Sequence, residues 1–227
     1  MKSIGPSTVR HVLLLSLAAG SADAAGYLTL GHVFTSNMTG NVVLLGIAIG
    51  QGHPGDTARS LFVLVLFMLG FALGVRLDRG IRQGDWPRLA ARLIRLEKIA
   101  LLLFALGWTF VPRDVVAIQY ALLALLAVAM GLQSAAMNRL HAPGVGTTAI
   151  TTTISALVSG LVSLAVPGLA GTDGSAIRFQ AGVLFLYCLG AAISGLLFVH
   201  NPWLAGWIPI AATLLVSHGR KADLARS

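Results

Sequence analysis

Apolar segments follow one another along almost the whole chain, and only short polar connections separate them. Of the 227 residues, 56% are hydrophobic and only 11% are charged, whereas a soluble domain carries about 25% charged residues. This composition leaves too little polar surface to cover a globule in water. The sequence therefore predicts an all-α polytopic membrane protein.

The positive charge is placed as membrane proteins place it. The net charge is +8, yet seven of the sixteen Lys and Arg lie within residues 76–98 and most of the others flank apolar runs. Charges in such positions orient membrane spans. No basic face interleaved with aromatic residues is present, so we expect membrane lipids as partners and no nucleic acid. Cys188 stands alone, which excludes a disulfide framework and a cysteine-based metal site.

We predict about six to eight transmembrane helices in a single domain at residues 1–218, followed by a polar tail at residues 219–227. The first helix is expected at residues 9–25 and the second crossing within residues 26–50. Further apolar spans are predicted at residues 60–75, 99–111, 115–136, 148–166, 179–199 and 203–216.

The second crossing is predicted to be broken. Residues 26–34 favour extended backbone, and a helix is expected to restart within residues 36–39 and to run to Gly50. That helix has about 13 residues and covers about 20 Å, two-thirds of the hydrocarbon thickness. Irregular backbone survives at membrane depth only where it packs in protein or lines a cavity. We therefore expect an extended piece followed by a half-helix.

The candidate site is built around this break. Asp23 is interpreted as the only acid within an apolar segment, where an acid costs about 2.5–3.5 kcal/mol. It either binds a proton or cation, or accepts hydrogen bonds from the broken backbone. Around it, Asn37, Thr39, Gly40 and Asn41 either line a substrate pocket or cap the restarting helix.

A weaker copy of the break follows about 110 residues later in the chain. We predict two internal repeats, at about residues 9–111 and 115–217. The aligned pairs are Asp23 with Gln133, Thr39 with Thr151, Gly40 with Thr152, and Asn41 with Thr153. Three crossings between the first and fifth helices would invert the repeats, and four would make them parallel.

The second block supplies a second set of candidate binding residues: Gln133, Thr148, Thr151 and Thr152. Transporters often form their sites from the broken helices of two repeats near the midplane of the membrane. The alternative is that these polar groups only make hydrogen bonds between helices.

Residues 86–98 form a basic amphipathic pattern. Three leucines fall on one side and three arginines on the other: Leu89, Leu93 and Leu96 against Arg88, Arg92 and Arg95. This spacing predicts either a helix lying at the membrane interface or a basic extension of the fourth span.

Several stretches resemble the YoaK-like family of bacterial membrane proteins. They are Asp23-Ala24, Tyr27-Leu28, VFTSNMTGN at residues 33–41, and residues 131–135 continuing through 147–151. The resemblance implies several helices in the bacterial plasma (inner) membrane and no established activity. Thr152 departs from the glycine of the first block, which puts close backbone approach there in doubt. An extended piece with a half-helix is similar to transporters of nucleobase and sulfate type, by fold analogy only.

We expect a small secondary transporter or channel for a small solute, with Asp23 as the coupling group. No phosphate-binding loop, HExxH or GxSxG motif is present, so we expect no enzyme and no cofactor or metal. A homodimer fits a chain with such short spans. The alternative function is a non-transporting scaffold or lipid-interacting protein that acts through the basic residues 76–98.

Overall fold

The computed structural model describes residues 5–78, 86–112, 115–138, 150–166 and 173–224. Every regular element in these ranges is a helix. The helices are α1 (Pro6–Thr29), α2 (Met38–Gly50), α3 (Pro54–Asp78), α4 (Trp86–Phe110), α5 (Val116–Asn138), α6 (Ile150–Ala165), α7 (Gly174–His200), α8 (Pro202–Ala205) and α9 (Ile208–Leu224).

Within the described residues, four helices are long and apolar enough to cross a membrane: Pro6–Thr29, Pro54–Leu77, Val116–Asn138 and Gly174–His200. Their outer surfaces expose many large apolar side chains, including Met68, Leu69, Phe185 and Leu196. Lipid is the solvent in which such surfaces are stable. The prediction of an all-α polytopic membrane protein is confirmed at this level.

The predicted end of the first helix is wrong. α1 extends to Thr29 instead of residue 25, so the non-helical piece is shorter than expected. A helix satisfies its own backbone groups, which matters more in an apolar interior than the weak propensity of Gly26 and Tyr27. At the other end of the chain, α9 runs to Leu224 and so includes part of the polar residues 219–227.

The two segments predicted at residues 86–98 and 99–111 form one helix, α4. Leu93, Ile94, Glu97 and Leu101 are buried along one face. Leu93 belongs to a hydrophobic cluster that includes Leu132 of α5. The leucine side therefore packs inside the bundle, which favours the basic extension of a span over a helix lying at the interface.

Two helix pairs cross at very short range. A Cβ added at Gly20 of α1 would lie 2.0 Å from the carbonyl oxygen of Tyr187, and one at Gly190 of α7 would lie 2.2 Å from that of Leu17. Such contacts require glycine because any side chain would separate the backbones.

The pair formed by α3 and α5 has the same arrangement. A Cβ added at Gly70 would lie 2.5 Å from the carbonyl oxygen of Val128, and one at Gly131 would lie 2.4 Å from that of Phe67. Both pairs thus use two glycines that each contact the partner backbone.

The remaining helices complete the bundle around these pairs. α4 packs on α5, α9 packs on α1, and α4 meets α9. Next to that last contact, α4 bonds to α8 and to the turn before α9: the Trp108 indole N–H donates to the Pro202 carbonyl oxygen (2.8 Å), and the Trp207 indole N–H donates to Thr109 Oγ1 (2.9 Å). The short helices lie outside, α2 on α3 and α6 on α7.

Candidate ion or substrate site at the first helix break

Asp23 lies six residues before the end of α1 and is 3% exposed. After α1 the chain turns at Gly31 (φ 95°) and His32 (φ 58°), both in the left-handed region. Glycine adopts this conformation readily, whereas histidine does so at a cost. The turn sends residues 33–36 back along α1, so that they reach the level of Asp23.

The carboxylate of Asp23 accepts five hydrogen bonds. Oδ1 accepts from the backbone N–H groups of Thr35 (2.7 Å) and Ser36 (2.5 Å), and from the Thr35 hydroxyl (3.3 Å). Oδ2 accepts from the hydroxyls of Ser36 (2.7 Å) and Tyr187. One side chain therefore joins α1, the irregular segment and α7.

The predicted polar residues next to Asp23 hold the start of the half-helix. Asn37 caps α2, since its Oδ1 accepts from the Gly40 N–H (3.3 Å). The Asn41 amide pairs with both backbone groups of Phe34, accepting from N–H (2.9 Å) and donating to C=O (2.5 Å). Gly40 leaves room for the Phe34 ring, 2.9 Å from an added Cβ. Thr39 is exposed on the outer face of α2.

The anion-binding position at this break is occupied by the carboxylate of Asp23 itself. The positive end of the α2 dipole faces the carboxylate, and the free N–H donors at a helix start are where anions normally bind. Here Asp23 already occupies the N–H groups of Thr35 and Ser36. In this arrangement the group that can change its charge is Asp23 itself.

The second block is not assembled in the same way. Gln133 is fully buried, and its amide donates to the Leu15 carbonyl oxygen (3.0 Å), two turns before Asp23 along α1. Thr151 and Thr152 are exposed on α6, and Thr148 lies outside the described residues. Thr153, which the alignment pairs with Asn41, is buried as Asn41 is.

Three residues of the site were missed by the sequence reasoning, namely Thr35, Ser36 and Tyr187, and a fourth, the buried Glu97, was missed elsewhere in the bundle. Thr35 and Ser36 lie within the polar stretch already identified, whereas Tyr187 carried no signal beyond a phenol in an apolar run. The expectation that Asp23 is the only acid in an apolar segment is wrong, since Glu97 of α4 is 0% exposed. Its spacing from Leu93 and Leu101 placed it on the apolar face, but neighbouring basic residues hid that pattern.

No group of three or more His, Cys, Asp or Glu that could hold a metal ion occurs within the described residues. Asp23 supplies a single carboxylate whose surroundings are hydrogen-bond donors, not further anionic ligands. In the described part of this site, such donors suit a carboxylate that gains or loses a proton better than a multiply coordinated metal.

The helices, their lipid-compatible surface and this break define an integral membrane protein with a broken helix closed by a buried carboxylate. Residues 11–218 match the family described as "Protein of unknown function (DUF1275)", and the chain belongs to that family. It is 34% identical over 203 residues to the UPF0700 transmembrane protein YoaK of Bacillus subtilis (strain 168), covering 87% of each chain. The YoaK-like resemblance is thus confirmed. No solved structure matches the chain.

Proposed function

We propose that the protein is a small secondary transporter for a small solute in the bacterial inner membrane, not an enzyme, and that Asp23 couples transport to a proton or cation. The observation that carries this proposal is the buried Asp23 carboxylate, which joins α1, the helix break and α7 through five hydrogen bonds. A buried acid in a membrane segment is costly and usually functional.

The coupling follows from what a proton does to these contacts. An ionised carboxylate accepts from all five donors, and hydrogen bonds to a charged group are stronger than neutral ones. Protonation turns one acceptor position into a donor, which opposes the hydroxyls of Ser36 and Tyr187 at Oδ2. Binding of a proton would thus loosen α7 from the break, and a solute that favours one state would shift the equilibrium.

Matching contacts in the two halves of the chain support internal repeats. Leu17 and Gly20 contact α7 as Val128 and Gly131 contact α3. α2 packs on α3 as α6 packs on α7, and α4 packs on α5 as α9 packs on α1. In this register Asp23 corresponds to Ser134, one position beyond the Gln133 of the sequence alignment.

One hydrophobic cluster supports an inverted relation between these repeats. It contains residues from the first halves of α1, α4 and α7, one residue at the end of α5 and one from the middle of α9: Val12, Ile94, Val183, Met137 and Val216. We call this end of the bundle the N-terminal face. α5 ends where α1 begins, so these two corresponding helices run in opposite directions.

The position of α3 supports a re-entrant α2 that does not cross the membrane. A Cβ added at Gly31, just after α1, would lie 2.4 Å from the Arg59 guanidinium near the start of α3. α1 therefore ends at the face where α3 begins, and α2 starts beside Asp23 and returns to that face. With α2 re-entrant, three crossings precede α5, and inverted repeats with broken helices are typical of secondary transporters.

The test is solute uptake by the purified protein in proteoliposomes under an imposed pH gradient. A panel of radiolabelled solutes that includes uracil and sulfate is first screened for ligands that raise the melting temperature. Each stabilising solute is then measured for uptake. We expect Asp23→Asn to lower the initial rate at least tenfold, while Asp56→Asn, which changes an exposed acid at the start of α3, leaves the rate unchanged.

Two results would contradict the proposal separately. If no stabilising solute enters proteoliposomes faster than empty liposomes, the protein is not a transporter of that panel, and a scaffold acting through residues 76–98 becomes the better hypothesis. If uptake occurs but folded Asp23→Asn transports at the wild-type rate, the coupling role of Asp23 is wrong.

A further inference from the structure

Glu97 is a second buried acid for which the proposed mechanism has no role. Its side chain is 0% exposed, and it follows Leu93 and Ile94 on the inner face of α4. Neither carboxyl oxygen has a hydrogen-bond partner among the described residues. Asp23 differs in this respect, because five donors surround its carboxylate.

Because Glu97 is buried without a hydrogen-bond donor among the described residues, its neutral form fits the bundle better than its ionised form. An ionised carboxylate needs a partner charge or several hydrogen bonds to offset its loss of hydration. A neutral carboxyl group needs much less, and it can donate one hydrogen bond itself. If the position required only packing, an apolar residue of similar volume would be more stable there.

We infer that Glu97 is a second proton-binding site, about 12 Å closer to the N-terminal face than Asp23, and that it releases its proton during the transport cycle. This inference rests on the proposed function, since a carboxyl group that never released its proton would be purely structural. Buried ionisable residues that face the interior of a membrane bundle commonly belong to proton pathways.

The two acids lie at different depths. α1 and α4 both begin at the N-terminal face, where Val12 and Ile94 share a cluster. Glu97 follows Ile94 by three residues, so it lies near the level of Leu15. Asp23 lies eight residues beyond Leu15, about 12 Å at 1.5 Å per residue. Glu97 thus lies near the middle of α4 and Asp23 further toward the opposite face, so the two carboxyl groups occupy successive depths, as a proton path across the bundle requires.

The groups around Glu97 define the electrostatic setting of its titration. Arg95 and Lys98 lie on α4 itself, and the Coulombic attraction of Lys98 favours the ionised form. From α1, Arg10 and His11 lie closer to the N-terminal face, whereas Gln133 of α5 is a neutral amide at the level of Leu15. On α9, the described side chains end at Val216 and none of them is ionisable. Burial of Glu97 therefore disfavours its ionised form, whereas the nearby positive charge of Lys98 favours it.

Infrared spectroscopy of the full-length protein in proteoliposomes tests this directly, because a protonated carboxyl group has its own carbonyl stretching band. We expect a band at neutral pH that is lost in Glu97→Gln and kept in Asp56→Asn and Asp23→Asn. As the pH is raised to about 10, this band should decrease, which shows that the proton can leave. Asp56 is exposed, with its carboxylate 3.3 Å from Arg59.

Carbodiimide labelling of the wild-type protein provides a second measurement that needs no variant. Dicyclohexylcarbodiimide adds to protonated carboxyl groups in apolar surroundings, and peptide mass spectrometry should find the adduct on Glu97 at neutral pH and at least fivefold less at pH 10. Absence of both the band and the adduct would overturn the inference, as would a band that persists unchanged to pH 10. Since neither readout requires a transported solute, this outcome is distinct from a failure of the uptake experiment.

Discussion

Asp23 receives its hydrogen bonds from both halves of the chain. Thr35 and Ser36 belong to the adjacent break, whereas Tyr187 is 164 residues away on α7. The local donors alone would be enough to close the break. The Tyr187 contact adds a link between the two halves. In the proposed mechanism, a change in the charge of Asp23 therefore affects α7 through this hydrogen bond.

Replacing Tyr187 with phenylalanine removes this link and leaves the ring packed in the core. We expect the free energy of unfolding in detergent to fall by about 1–3 kcal/mol, the usual cost of leaving a buried acceptor without one of its hydrogen bonds. In a double-mutant cycle with Asp23→Asn, measured by thermal unfolding, the two effects should not add. Additive losses would show that the hydroxyl and the carboxylate act independently.

The sequence identified the acceptor of this site but only part of its donors. Asp23 and the polar run after Phe34 were found because polar groups are rare in an apolar chain. Whether Asn37 and Asn41 cap the helix or bind a solute stayed open, and the structure gives both of them hydrogen bonds to the local backbone. Tyr187 could not be predicted, because its partner depends on how α7 crosses α1.

At the scale of helices, glycine contacts set the distance between α1 and α7. Lipid chains are as apolar as the helix surfaces, so close packing and hydrogen bonds hold membrane helices together. Gly20 and Gly190 each contact the partner backbone directly. The same crossing positions Tyr187 beside Asp23, and a small separation of the helices would therefore break the hydrogen bond.

Gly190→Ala tests this crossing. The added methyl group would lie 2.2 Å from the Leu17 carbonyl oxygen, so the helices must separate. We expect a loss of about 1–3 kcal/mol, the usual cost of overpacking, measured by unfolding in detergent. Gly195→Ala is the matched control on the same helix, since an added Cβ there has nothing within 4 Å. Equal effects of the two substitutions would contradict a role for close packing.

The helical elements were largely predictable, but their arrangement was not. The half-helix ends at Gly50 as expected, and each long apolar run forms a helix. The direction of α2 depends on the contact between Gly31 and Arg59, two positions whose closeness follows from the turn at Gly31 and His32. Apolar content carries no information on such a turn, so the crossing predicted for residues 26–50 stayed ambiguous.

For the molecule as a whole, a re-entrant α2 changes the distribution of charge. Among the Lys and Arg of the described helices, all except Arg59 then belong to the N-terminal face: Arg10, Arg76, Arg88, Arg92, Arg95, Lys98, Arg178, Arg220 and Lys221. Eight complete crossings would instead divide the sixteen Lys and Arg equally between the two sides. Strong asymmetry is what membrane insertion normally produces, and the positive face is cytoplasmic.

This asymmetry predicts the sidedness of two exposed positions, Ser7 before the apolar part of α1 and His53 between α2 and α3. With a re-entrant α2, only α1 separates them, so they lie on opposite sides and Ser7 is cytoplasmic. If α2 crossed the membrane, both would lie on the same side. Single cysteines at each position, in a Cys188→Ser background, distinguish these cases by reaction with a membrane-impermeant maleimide.

We expect right-side-out membrane vesicles to label Cys at position 53 and inverted vesicles to label Cys at position 7. Labelling of both positions in the same vesicles would contradict the re-entrant α2, and the inverted repeats with it. If position 7 were labelled in right-side-out vesicles and position 53 in inverted vesicles, the topology would hold and only the predicted orientation would be wrong. The experiment thus tests two inferences separately. The topology rests on the contact between Gly31 and Arg59, and the orientation rests on the charge distribution.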